Sequence, residues 1–172
     1  MTLSNEKKPN NHYSAIAKFF HWGFAVLFLY GILKQVDNIN QLEDLSLLKL
    51  EITFAAVFVL LVIIRFIYMK KTQTSSLPET TPRIQKIAAK TVHYGMYLSL
   101  TAVAVTGLMI GLLFSKDYKN GFLIEFIVGL HELSVTSTYW LIGLHVLGAI
   151  YHRLLQDGVW SSMVPFWKEE TK

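Results

Sequence analysis

Four long apolar blocks decide what this chain can fold into. The first runs from Phe19 to about Val36, interrupted only by His21, Lys34 and Gln35. The second, ITFAAVFVLLVIIRFIYM, follows Glu51 and holds one charge, Arg65. The third, VHYGMYLSLTAVAVTGLMIGLLF, spans Val92–Phe114 without a formal charge. The fourth, GLHELSVTSTYWLIGLHVLGAIYHRLL, spans Gly129–Leu155. A helix needs roughly 20 apolar residues to cross a bilayer core. A soluble bundle of 172 residues would interleave its apolar positions with polar ones at helical period, whereas here they come in blocks. The reading is an all-α integral membrane four-helix bundle. It forms one domain over residues 1–172, with spans at about 15–36, 50–69, 91–114 and 129–155.

Charge sets the expected orientation. With four spans both termini share one side, together with the loop from about residue 65 to 91. That side carries twelve Lys and Arg against five Asp and Glu, a net +7, and the other carries four against seven, a net −3. Excess Lys and Arg stay cytoplasmic, so both termini are expected inside. Topology accounts for the basic balance, and nucleic acid is not needed as a partner. There is no cysteine, which excludes disulfides and thiolate metal sites. The polar opening MTLSNEKKPNNHYSAIAK does not read as a cleavable signal, and the first span is expected to direct insertion. Ser14 is placed to cap that span. The segment KKTQTSSLPETTPRIQK reads as a loop, and GFLIEFIV as a short interfacial stretch before the fourth span. Gly107 and Gly111 form a small-xxx-small pair suited to close helix packing.

The chemistry lies in the histidines, because ionisable groups inside a membrane are costly. His131, His145 and His152 fall on one stripe of the fourth span. Fourteen residues return to within about 40° of the same face, roughly 21 Å along, and seven to within about 20°. The first span and the fourth run in opposite directions, so His21 and His145 lie at similar depth and can face each other. Two neutral imidazoles on facing helices suit bis-histidine ligation of haem iron, with Gly23, Gly31, Gly143 and Gly148 leaving room for the ring. Hydrogen-bonded packing histidines are the plain alternative. Structural zinc would require four close ligands, and only two approach at that depth.

The HW at the start of the first span, VHYGMYLSLTAVAVTG in the third and HE…IGLH…YH in the fourth resemble the bacterial cytochrome b561 family, from about Tyr13 to Pro165. The resemblance implies a four-helix inner-membrane protein that holds two haems b and exchanges electrons with a quinone such as ubiquinone or menaquinone. It also implies that His21 and His145 ligate the inner haem and that His131 is the helix-four ligand of the outer one. One family member is a superoxide oxidase; the outer side's net −3 speaks against an anionic substrate here, although Lys49, Lys116 and Lys119 could make a local positive patch.

The helix-two ligand departs from the family pattern. Counting back 14 residues from Arg65, where the family has a histidine, gives Glu51, and no histidine occurs between His21 and His93. Three readings follow. The outer haem is absent and Glu51 pairs with His131; or haem stays on His131 alone, five-coordinate; or a partner subunit supplies an imidazole.

Arg65, His93 and His152 are expected near the inner surface, where they could neutralise haem propionates or donate to a quinone carbonyl. Tyr94, Tyr97 and Tyr151 could line a quinone cleft or simply pack. Trp22, Trp140, Trp160 and Trp167 read in part as interface anchors, and His12 as solvated. The leading function is a haem b electron carrier between quinone and a redox partner, with quinone-linked oxidoreductase activity open. The alternative is a membrane anchor subunit of a larger redox complex with a largely structural haem. A transporter fits less well, because the spans show no paired repeats.

Overall fold

A computed structural model describes residues 13–36 and 38–169. Among them there is no strand. The elements are α1 (Ala15–Leu33), a 3-10 turn (Ile39–Glu43), α2 (Leu45–Thr72), α3 (Arg83–Ser115), α4 (Phe122–Leu155) and a short α5 (Val159–Met163). The first four helices are each long and apolar enough to cross a membrane. The chain is an all-α membrane bundle.

Local chemistry starts and stops these helices. Ser14 caps α1, its Oγ accepting from Ala17 N at 3.1 Å. The same residue is tied to the end of α2, because its Oγ lies 2.9 Å from the Tyr68 hydroxyl and its N–H donates to Gln73 Oε1. Asp44 caps α2 by accepting from Ser46 and Leu47, and these bonds, the Ser46 hydroxyl's first, hold its carboxyl below the usual carboxylate range. Gly121 enters α4 at φ 100°, a conformation open to glycine and strained for other residues.

Two helices exceed their apolar blocks. At 33 and 34 residues, α3 and α4 are about 50 Å long, against a hydrocarbon core of roughly 30 Å. The segment expected as a loop shrinks to residues 73–82, because α2 continues to Thr72 and α3 begins at Arg83. GFLIEFIV is not a separate interfacial stretch: from Phe122 it forms the first turns of α4. Ile124 and Ile127 point inward at helical spacing and join Leu42, Leu48, Ile110 and Phe114 in one core cluster.

α3 is the central helix, packed against α2 on one side and α4 on the other. Its glycines make both approaches possible. A Cβ on Gly111 would lie 2.5 Å from Ile52 of α2, and one on Gly107 would lie 3.3 Å from the His131 ring of α4. The small-residue pair therefore serves two different neighbours. α1 approaches no other helix so closely. It meets α2 through long aromatic side chains: Phe24 on Phe58, Phe20 on Tyr68 and Tyr30 on Phe54.

Candidate functional site

Each of the four long helices contributes one basic or imidazole side chain to a cluster near the end of the bundle that carries both termini. These are His21 of α1, Arg65 of α2, His93 of α3 and His145 of α4. The His21 and His145 ring centroids are 5.9 Å apart, and those of His93 and His145 are 5.1 Å apart, nearly perpendicular. Arg65 Nη2 lies 3.3 Å from His21 Nδ1. A guanidinium has only donors, so in this contact His21 Nδ1 accepts and its proton sits on Nε2. The guanidinium also lies over the rings of Phe24, at 5.1 Å, and Tyr97, at 5.7 Å. His93 Nδ1 donates to the Ala89 carbonyl at 2.6 Å, which leaves Nε2 as its lone-pair nitrogen.

This cluster fits a haem b. Two imidazoles on opposite sides of one metal, at roughly 2 Å per metal–nitrogen bond, hold their ring centres roughly 6 Å apart. His21 and His145 stand at that separation. Arg65 Nε is buried with no hydrogen-bond partner. Among the described residues no carboxylate pairs with Arg65. A buried guanidinium with spare donors calls for an anion, and haem b carries two carboxylates on its edge. Arg65 turned toward such a carboxylate would release His21 Nδ1 to carry the ring proton, leaving Nε2 free for iron. Zinc gains no support, since among the described residues no group of three or more His, Cys, Asp or Glu is placed to share a metal ion.

The proposed ring-edge glycines are less definite. Gly31 lies against the Phe54 ring, while a Cβ on Gly23, Gly143 or Gly148 would meet nothing within 4 Å.

Toward the other end a cavity of 310 Å³ opens between the four helices, walled by Phe28, Phe54 and Phe58 and lined by Glu51, His131 and Glu132. His131 Nδ1 is 2.9 Å from Thr106 Oγ1, and that hydroxyl already donates to the Ala102 carbonyl at 2.6 Å. Thr106 therefore accepts from His131 Nδ1–H, which leaves Nε2 as the lone-pair nitrogen. Glu51 and His131 line the same cavity, yet among the described residues no hydrogen bond or ion pair joins them. The direct Glu51–His131 pair expected under one reading is not formed among the described residues; His131 Nδ1 is instead engaged by Thr106. Among the described residues no second imidazole lines the cavity. The residues at this end do not fit a bis-histidine haem.

His152 is paired with Asp157, Nδ1 to Oδ2 at 2.6 Å, where α4 turns into the C-terminal segment. His12 lies outside the described residues. Sequence reasoning missed three features: the approach of His93 to His145, the Thr106 partner of His131, and the return of the C-terminal segment onto Trp22. The nearest available signal for the second was a hydroxyl residue directly before Gly107.

The fold and this cluster define a class: multi-pass helical membrane proteins whose converging imidazoles and arginine suit a haem. The chain belongs to the prokaryotic cytochrome b561 family, whose family model matches residues 12–166. Membership implies a membrane haem b protein of electron transfer. Neither a curated protein nor a solved structure matches the chain.

Proposed function

We propose that the protein is a single-haem electron carrier of the bacterial inner membrane, with both termini cytoplasmic. His21 and His145 are the residues that would hold one haem b. Arg65 holds a propionate, and His93 packs against the His145 ring and fixes its orientation. The observation that carries this reading is the pairing of His21 with His145 at bis-imidazole separation beside an arginine whose buried Nε has no partner. Haem b would supply one-electron transfer when bound, and two imidazole ligands would suit that role rather than oxygen chemistry. The protein's part is to bind the ring, orient it and keep water from it.

The electron partner on the termini side is a quinone, ubiquinone or menaquinone. His152, its Nδ1–H donating to Asp157, keeps Nε2 as a lone-pair nitrogen that can accept from a quinol hydroxyl. Quinone-linked oxidoreductase activity follows from that exchange. His131 is the helix-four position of the family's outer haem, and with Glu51 opposite it the outer half holds no secured redox centre. The transmembrane wire is incomplete within this chain. That favours a partner redox subunit, for which this chain serves as carrier or anchor.

Replacing His21 or His145 with Ala tests the assignment. Each variant is expected to lose the low-spin reduced b-type spectrum, whereas His12→Ala keeps it. Full spectra in both ligand variants would overturn it.

A further inference from the structure

α1 carries His21 and is the least secured of the long helices. α2 with α3, and α3 with α4, bring their backbones together over long stretches, and α1 does not do so with any helix. Its ring contacts with α4 are Phe28 on Tyr139 at 6.1 Å and His21 on His145 at 5.9 Å. At this end Ser14 ties α1 to α2 through Tyr68 and Gln73, and the further tie toward α4 comes from the C-terminal segment.

That segment folds back in a defined way. Gln156 and Gly158 turn the chain at φ 53° and 87°. Asp157 bonds His152 with one carboxylate oxygen and Val159 N with the other. Arg153 and the Trp160 indole both donate to the Trp167 carbonyl, and Arg153 lies over the Trp160 ring. Ser161 and Glu169 exchange bonds, with Glu169 N donating to Ser161 Oγ at 2.7 Å and Ser161 N to Glu169 Oε2 at 3.4 Å. Ser162 in the middle is 1% exposed. Folded this way, the segment presents two groups to α1. The Met163 carbonyl accepts from Trp22 Nε1 at 3.3 Å, and the Phe166 ring lies 5.5 Å from the Trp22 ring. Trp22 is the residue after His21, and their rings are 5.7 Å apart.

We propose that residues 156–169 are a clamp that fixes α1 to the end of α4, and that Trp22 and Phe166 are positioning residues for His21. An interface belt alone would account for Trp167, which is 74% exposed, since belt aromatics sit in the headgroup layer. It does not account for a sealed turn around Ser162 or for an indole bonded to a backbone carbonyl of the segment. The consequence for function rests on the His21–His145 assignment. A helix without close backbone packing relies on such ties to keep a ligand within the narrow geometry that metal binding demands.

The absence of cysteine makes the test clean. Spin labels on cysteines introduced at the exposed positions Ile16 and Leu154 report the α1–α4 separation in full-length, haem-loaded protein. A narrow distance distribution is expected. It should broaden in Trp22→Phe/Phe166→Ala, with haem transfer to an acceptor protein accelerated about tenfold, the scale of one hydrogen bond plus one aromatic contact. Trp22→Phe alone keeps the ring and should give a smaller change of the same sign. Unchanged distances and unchanged haem release in the double variant would overturn the clamp. Broadened distances with unchanged release would overturn the positioning role. Failure of the haem assignment shows separately, as haem retained in His21→Ala.

Discussion

The two ends of the bundle are built on the same four helices and reach different results. Near the termini, His21, His93 and His145 converge from three helices and Arg65 comes from the fourth. Toward the other end His131 stands alone, its Nδ1 engaged by Thr106 and a carboxylate, Glu51, on the wall of the same cavity. The depths match what a pair of stacked sites would need, since His131 and His145 are 14 residues apart, roughly 21 Å on one helix. What separates the ends is the donor set. An imidazole pair with a neighbouring cation accepts a dianionic porphyrin edge. An imidazole opposite an acid offers iron one good ligand and adds a negative charge where the ring would sit. A scaffold can thus keep the shape of a site while one side chain changes what the site can hold.

The strongest way to erase the contrast is Glu51→His. It returns a second imidazole to the cavity, and Thr106 already leaves His131 Nε2 free. A second low-spin haem is expected, roughly 21 Å along α4 from the first. An unchanged haem content would mean that more than the ligand separates the two ends.

Thr106→Val sharpens the comparison from the other side. It keeps the shape of the side chain and removes the acceptor for His131 Nδ1–H. An unsatisfied buried donor should lower stability by about 1–3 kcal/mol, read by thermal unfolding in detergent. In the Glu51→His background it should also reduce occupancy of the second haem. No change in either measurement would show that Thr106 does not hold the imidazole.

Arg65→Gln is expected to act on the termini side alone. A buried cation favours the reduced, more negative form of a nearby haem, so its loss should lower the reduction potential. The fall is of order 60 mV, a factor of ten for one electron. A potentiometric titration that finds no fall would remove Arg65 from the haem edge.

The apolar blocks made the bundle legible, because block length alone requires four crossings. Helix ends were harder. Residues 83–91 of α3 are mixed in charge and hydropathy, so nothing in the block pattern extends the helix over them. GFLIEFIV reads as a short interfacial stretch, whereas in the fold Ile124 and Ile127 pack with Phe114. At the site, His21 and His145 were legible because helix direction and depth follow from the order of the spans. The approach of His93 was not, since it depends on the rotation of α3, which Gly111 sets by its contact with Ile52. Thr106 was hidden for the same reason. The C-terminal segment carries no periodic pattern over residues 156–169, and its fold rests on Asp157, Ser161 and Glu169 acting as local caps.

The central claim is that this chain holds its one secured haem between His21 and His145. The most direct test is the haem content per polypeptide of the purified chain, with the spin state read by low-temperature paramagnetic resonance, in the wild type and in His131→Ala. The account predicts one haem, all of it low-spin bis-imidazole, and the same value in His131→Ala. Two haems in the wild type, falling to one in His131→Ala, would contradict it.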